Sequence, residues 1–234
     1  MRNLDPRPAG IQRLLKIGLG SIALFSLVSF HQSLFLLLCL WSCPVAPQER
    51  SAPPAPGERA SFPARLSAAA IAQTTRPVRY DPSYAPIPYP GGDVPEDRGV
   101  CTDVLIRAYR KAGVDLQKEV HEDMQAHFRL YPPLWGLSRP DPNIDHRRVP
   151  NLMVFFQRKG EVLPITSNPA DYAPGEIVAW NLGRGITHLG LVVDRRSADG
   201  RRWLIVHNLG AGPKLEDVLF TYRIIGHFRY LGPR

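Results

Sequence analysis

The alternation of apolar and polar positions divides the chain into a helical half and a strand half. Over residues 102–112, Val104, Leu105, Ala108, Tyr109 and Ala112 recur at intervals of three and four, and Gly113 follows the last of them. That period lays one apolar stripe along an α-helix, and the glycine supplies its stop. Residues 64–75 (ARLSAAAIAQTT) have high helix propensity, and another helix is predicted over about 116–128. Residues 152–158 fit either a short helix or a strand. Later the period changes. Short β-type runs occupy 177–181, 188–194, 203–208, 217–220 and 227–231, and turn residues at Gly183, Gly185, Asp199-Gly200 and 210–213 separate nearly all of them. Helices first and strands afterwards predict an α+β domain, with the helices packed on an antiparallel sheet.

The N-terminus follows a different rule. Arg2, Arg7, Arg13 and Lys16 precede an apolar run over 17–30, and a second run covers 34–41. A basic flank ahead of an apolar stretch is the pattern of an export signal, and the two runs together are long enough to cross a bilayer with the basic end inside. The remainder is therefore expected outside the cytoplasm. Three fates of residues 1–43 stay open: a retained membrane anchor, a lipid anchor at Cys43, and a cleaved signal. Residues 44–63, rich in Pro and Ala, read as a tether, which leaves 64–234 as the folded domain. The Pro-, Gly- and Asp-rich stretch 80–99 reads as an ordered loop leading to Cys101, and 131–150 as a long proline-rich excursion.

Charge narrows the choice of partner. The chain of 234 residues has a formal charge of +8, and residues 44–234 keep 25 bases against 20 acids, or +5. Such moderate basicity suits anionic envelope polymers or lipid head groups, while no lysine/arginine stripe interleaved with aromatics argues for nucleic acid. Arg195, Arg196, Arg201 and Arg202 flank Asp199-Gly200 and are expected at a solvated hairpin tip.

Of three cysteines, Cys39 and Cys43 lie in or beside the signal, so Cys101 is the only thiol of the exported domain and has no intrachain disulfide partner. In an oxidising compartment a lone thiol is a liability unless it is buried or used. Cys101 begins the helix over 102–112, where unpaired N–H groups and the dipole favour a thiolate and can contribute to an oxyanion hole. His188 and His207 sit on two strand-like runs joined by the Asp199-Gly200 turn. Counting outward from that turn sets His188 opposite Asn208 or its neighbour, so the two histidines meet at the open end of the hairpin. Alternation separates His188 from Leu189, Leu191 and Val193 and gives it the face of Gly190, where a helix has room to approach. A buried packing cysteine with two core histidines is the structural alternative. A Cys101/His188/His207 metal site is weaker, because no short ligand pair accompanies it, and no cofactor motif is present. His146 is expected on a surface loop, and His121, His127 and His227 as ordinary surface or strand residues.

The same residues carry a family resemblance. Gly99-Val-Cys-Thr-Asp-Val-Leu-Ile-Arg-Ala-Tyr-Arg-Lys-Ala-Gly113 resembles the nucleophile helix of NlpC-type cell-wall peptidases. Tyr172-Ala-Pro-Gly-Glu-Ile-Val-Ala-Trp180, His188-Leu-Gly-Leu-Val-Val193 and Leu204-Ile-Val-His-Asn208 resemble three of their strands. More closely, residues from about 80 to 230, with YPGGDVP, RPDPNIDHRRVPN and VHNLGAGP, are similar to the bacterial family catalogued as domain of unknown function 1287, grouped with papain-like peptidases. The resemblance implies a papain-like fold with Cys101 as nucleophile, His188 as general base and His207 as the group that orients it. It further implies an enzyme of the bacterial periplasm or envelope acting on peptidoglycan stem peptides. An acyltransferase or amidase on lipid or protein, and a non-catalytic binding or scaffold module, are the other readings. Val100 before the cysteine and Thr102-Asp103 after it depart from the NlpC pattern of Asp before and Ser-Gly after. The excursion at 131–150 has no counterpart in the smaller enzymes.

Overall fold

The computed structural model describes residues 60–233. Residues 1–43, read from the sequence as an export signal or anchor, and most of the stretch read as a tether lie outside them. Among the described residues no helix is long and apolar enough to cross a membrane. The architecture is α+β, with helices α1 (Phe62–Ile71), α2 (Cys101–Lys111), α3 (Leu116–His127) and α4 (Val149–Lys159) followed by most of the sheet.

Local chemistry sets the helix ends. The Ser61 hydroxyl accepts from Ala64 N–H, so α1 starts two residues earlier than its propensity run, and Asp115 caps α3 through Gln117 N–H. In α2 the Asp103 carboxylate reaches back 2.7 Å to Val100 N–H, which satisfies one of the orphan donors of the first turn. Gly113, at φ +98°, takes the left-handed conformation after the last turn. The ambiguous run near 152–158 is helix α4, with Pro150 in its first turn.

Strands β3 (Glu161–Val162), β4 (Glu176–Asn181), β5 (Thr187–Arg196), β6 (Trp203–His207), β7 (Lys214–Glu216) and β8 (Arg223–Arg229) form one antiparallel sheet in the order β3-β8-β4-β5-β6-β7. A separate two-residue parallel pair joins β1 (Arg79–Tyr80) to β2 (Arg98–Gly99), just ahead of α2. The β-type run expected at 217–220 is a turn. The strand precedes it at β7, because Leu215 and Glu216 pair with Val206 and Ile205.

The sheet has two apolar faces. Leu189, Leu191, Val193 and Val206 pack with Val104, Leu105, Ala108 and Tyr109 of α2 and with Leu66, Leu152, Phe155 and Phe156 of the other helices. Val178, Trp180, Val192, Ile205 and Leu219 form a smaller cluster on the opposite side. Tyr109 is fully buried and its hydroxyl donates to the Tyr230 carbonyl at 2.8 Å, so α2 is held to the end of the sheet both by packing and by a satisfied polar tip. Ser67 and Asp194 exchange two hydrogen bonds and fix α1 to β5.

Candidate functional site

The head of α2 meets the start of β5. Strand β6 pairs with β5 only as far as Leu191↔Val206, so the first residues of β5 run past the end of their neighbour. Backbone N–H groups of Leu189, of Thr102 and of Cys101 itself surround the Cys101 sulfur and favour its thiolate. Asn208, just beyond β6, donates to the Gly99 carbonyl at 3.2 Å and ties the end of that strand to the residue two before the thiol. The sequence places the two histidines together at the open end of the hairpin, and the structure pairs them there, with the Cys101 sulfur against the backbone N–H of the neighbouring Leu189.

The route by which they meet differs from the expectation. Helix α2 packs against the Leu189, Leu191 and Val193 face, opposite to the face that carries His188. The space left by Gly190 is used instead by side chains of its own face. A Cβ there would stand 2.5 Å from Ile205 Cγ2, 3.1 Å from His207 Cβ and 3.2 Å from the Trp180 ring. Gly190 thus lets β6 bring His207 against His188. The cysteine approaches along the backbone of Leu189 rather than across the glycine, and no hydrogen bond joins its sulfur to either imidazole among the described residues.

His188 Nε2 lies 2.9 Å from His207 Nδ1, and His207 Nε2 lies 2.8 Å from Glu216 Oε2 on β7. A carboxylate only accepts, so His207 carries its proton on Nε2 and its Nδ1 is a lone pair. His188 must then donate from Nε2, which leaves its Nδ1 as a lone pair with no protein partner. Glu216 therefore dictates, through two rings, which nitrogen of His188 is basic. Trp180 stacks on His188 at 5.8 Å between ring centroids and fixes the plane of the ring.

The site is closed in this state, and burial favours the neutral forms of the thiol and both imidazoles. Cys101 is 5% exposed, His188 3% and His207 1%. Burial pushes the Cys101 thiol up to about 11, against the backbone N–H groups, with the Asp103 carboxylate adding to the rise. Burial likewise takes His188 down to about 3, helped by His207, and lowers His207 against the opposing pull of Glu216. Desolvation thus outweighs the helix-head N–H groups at the Cys101 thiol, while Asp103, which accepts from Val100 N–H, adds to the rise.

The segment ahead of Cys101 is laced in place. Asp81 N–H donates to the Gly99 carbonyl, and Arg147 donates to the Asp81 and Ser83 carbonyls. The same guanidinium forms a bidentate pair with Asp103 at 2.8 and 3.0 Å, both side chains being 3% exposed. Thr102 Oγ1 donates to the Arg147 carbonyl at 3.0 Å. The two residues after the cysteine that depart from the NlpC pattern thus bind the end of the 131–150 excursion. Tyr80 pairs with Gly99, two residues before the thiol, and burial raises its phenol, with Cys101 and Asp103 adding to the rise. Further back, Arg107 joins Asp93 to the Val94, Pro95 and Arg98 carbonyls, and Arg110 also reaches Asp93. A side chain on Gly92 would collide with the Pro88 carbonyl at 1.9 Å, which accounts for the second glycine of YPGGDVP.

Two other histidines, His146 and His121, depart from the expectation, whereas His227 and His127 agree with it. His146 is buried, not on a surface loop, and burial beside Arg147 and Arg110 lowers it to about 3. His121 is buried with its ring edge-on to Tyr89. His227 is a buried strand residue hydrogen-bonded to Glu176 and to the Pro164 carbonyl, whereas the His127 side chain is exposed at α3. At the hairpin tip Arg202 pairs with Asp217, and Arg196 lies over the Trp203 ring, so only part of the arginine cluster is free. Among the described residues no group of three or more His, Cys, Asp and Glu side chains is arranged to hold a metal ion.

The family model described as Domain of unknown function (DUF1287) matches residues 67–230, which contain α2, the whole Cys101/His188/His207/Glu216 array and the Arg147–Asp103 pair. The chain belongs to the DUF1287 family. It is similar to the uncharacterized protein YijF of Escherichia coli (strain K12), with 56% identity over 151 residues, 64% of this chain and 73% of that protein. Of the residues in this DUF1287 site, Glu216, Asn208 and Arg147 were not distinguished by sequence reasoning. An acid a few residues beyond the histidine strand was the available signal for Glu216, but its pairing depended on where β7 lies.

Proposed function

We propose that this DUF1287 protein is a cysteine amidohydrolase of the bacterial cell envelope, built on a papain-like fold and acting on peptidoglycan stem peptides. The observation that carries the reading is the relay Glu216–His207–His188, which ends in an unpartnered basic nitrogen on the residue adjoining the backbone that contacts Cys101 sulfur. In the reaction the His188 Nδ1 lone pair takes the Cys101 proton as the sulfur bonds to an amide carbonyl carbon. The tetrahedral oxyanion faces N–H groups at the α2 head. His188 returns its proton to the leaving amine, the C–N bond breaks, and a thioester remains. Water then gives a proton to His188 and its oxygen to the acyl carbon, the C–S bond breaks to release the carboxylic acid, and the proton returned by His188 restores the thiol. Because the resting thiol and imidazole are both neutral, proton transfer accompanies attack rather than preceding it. With Cys101 only 5% exposed, substrate entry requires its surroundings to open.

The closed, neutral state also favours a second reading, an envelope scaffold that keeps the fold without turnover. Digestion of purified muropeptides with the protein and its Cys101→Ala and His188→Ala variants, read by mass spectrometry, separates the two. Cleavage by the parent alone supports hydrolysis. An unchanged profile with all three proteins folded removes the wall-hydrolase reading.

A further inference from the structure

The excursion at 131–150 carries a feature that the Cys101 site does not use. Leu130 is 57% exposed, Leu134 63%, Trp135 39% and Leu137 39%, and every residue from 133 to 139 is exposed. Large apolar side chains held in water by an ordered proline-rich loop mark a contact surface. Beneath them opens a cavity of about 300 Å³, lined by Phe128, Tyr131, Pro133, Trp135 and Leu137 among others. The stretch from 129 to 140 (RLYPPLWGLSRP) has no acid, and Arg129 and Arg139 bracket its apolar residues without an ion pair among the described residues. Arg148 stacks over Trp135 at 4.1 Å, while Asp145, the one acid lining the cavity, is already engaged by Arg148.

We propose that this loop docks the domain onto an anionic phospholipid surface, with Trp135, Leu134 and Leu137 entering the interface and Arg129 and Arg139 meeting lipid phosphates. Leucine and tryptophan flanked by arginine is the composition that partitions to the head-group boundary. In the reading that keeps the apolar runs at 17–30 and 34–41 as an anchor, they supply a membrane attachment, and a short loop contact then acts at high effective concentration. The inference is independent of any chemistry at Cys101.

The test uses the full-length chain in vesicles of phosphatidylcholine with and without phosphatidylglycerol, the acyl chains brominated to quench tryptophan. Subtracting the Trp135→Phe signal isolates Trp135 from Trp41, Trp180 and Trp203. Quenching of the Trp135 component in anionic vesicles is expected. Each arginine near the surface is worth about fivefold, so in Arg129→Ala/Arg139→Ala the docked-to-undocked ratio falls about 25-fold. Trp135 quenched by aqueous acrylamide but not by lipid leaves the loop in water and overturns the proposal. Shielding from both quenchers means that the chain's own N-terminal residues or a second copy cover it, and overturns it as well. So does lipid quenching that is indifferent to lipid charge and to the two arginines.

Discussion

Replacing Glu216 with leucine should switch the basic nitrogen of His188, two residues away along the relay. The His207 Nε2 to Glu216 Oε2 distance is 2.8 Å, with the His207 side chain 2% and the Glu216 side chain 42% exposed. A hydrogen bond to a charged group contributes about 1.5–3 kcal/mol, and the half-solvated carboxylate places this one near about 1.5. Since about 1.4 kcal/mol is a factor of ten, the bond biases the His207 tautomer at least about tenfold. In Glu216→Leu a proton on His207 Nε2 is buried without a partner, at a further cost of about 1–3 kcal/mol. The chain of protons should then reverse, with His207 donating from Nδ1 to His188 Nε2 and His188 carrying its proton on Nδ1, where it cannot accept one from Cys101. Nitrogen-15 NMR of labelled histidines reads both tautomers directly, without any substrate. Glu216→Gln, whose amide oxygen can still accept, should give a mixture. If His188 keeps its Nε2 proton in Glu216→Leu, the carboxylate does not set the relay and the argument is wrong.

Three other perturbations test the surroundings of the site. With the thiol near 11, alkylation of Cys101 by iodoacetamide at about pH 8 should run about two orders of magnitude slower than that of a free cysteine, and parity with a free thiol would show that the closed state is not the one populated in solution. Asp103→Ala strands a buried guanidinium, so a loss of about 3–5 kcal/mol and a fall in Tm of about 10 °C are expected, whereas Asp103→Leu with Arg147→Met should lose less; equal losses in calorimetry would deny the coupling. His146 and His188 each have a native value near 3 against about 6.5 in the unfolded chain, so the unfolded state binds more protons between those limits and stability declines as pH falls through them. From pH 7 to 5 each should cost about 2 kcal/mol in urea unfolding, and a His188→Gln variant with the parent's full pH dependence would contradict the burial of that ring's neutral form.

Much of the fold was legible because one-dimensional periods report one-dimensional geometry. Val104, Leu105, Ala108 and Tyr109 can share a stripe only in a helix, and all are buried in α2. The hairpin count placed His188 near Asn208, and the register Leu191↔Val206 continues to that neighbourhood. The 217–220 run failed because its apolar residues serve another purpose: Leu219 fills the small core and its carbonyl accepts from the Trp180 ring N–H. His146 looked like a loop residue because its neighbours are charged, but Arg147 and Asp145 are themselves buried and paired, so polarity along the chain did not mean exposure.

By itself the sequence determined which residues could do chemistry and roughly where each element runs: a lone thiol at a helix head, two histidines on one hairpin, and an α+β order. Those properties follow from side-chain type and from spacing over a few residues. Only the tertiary structure decided that α2 packs on the face away from His188, that Glu216 closes the relay, and that Arg147 reaches 44 positions back to Asp103. These depend on pairings between distant segments, and on burial, which raises the thiol of a cysteine placed at a favourable helix terminus.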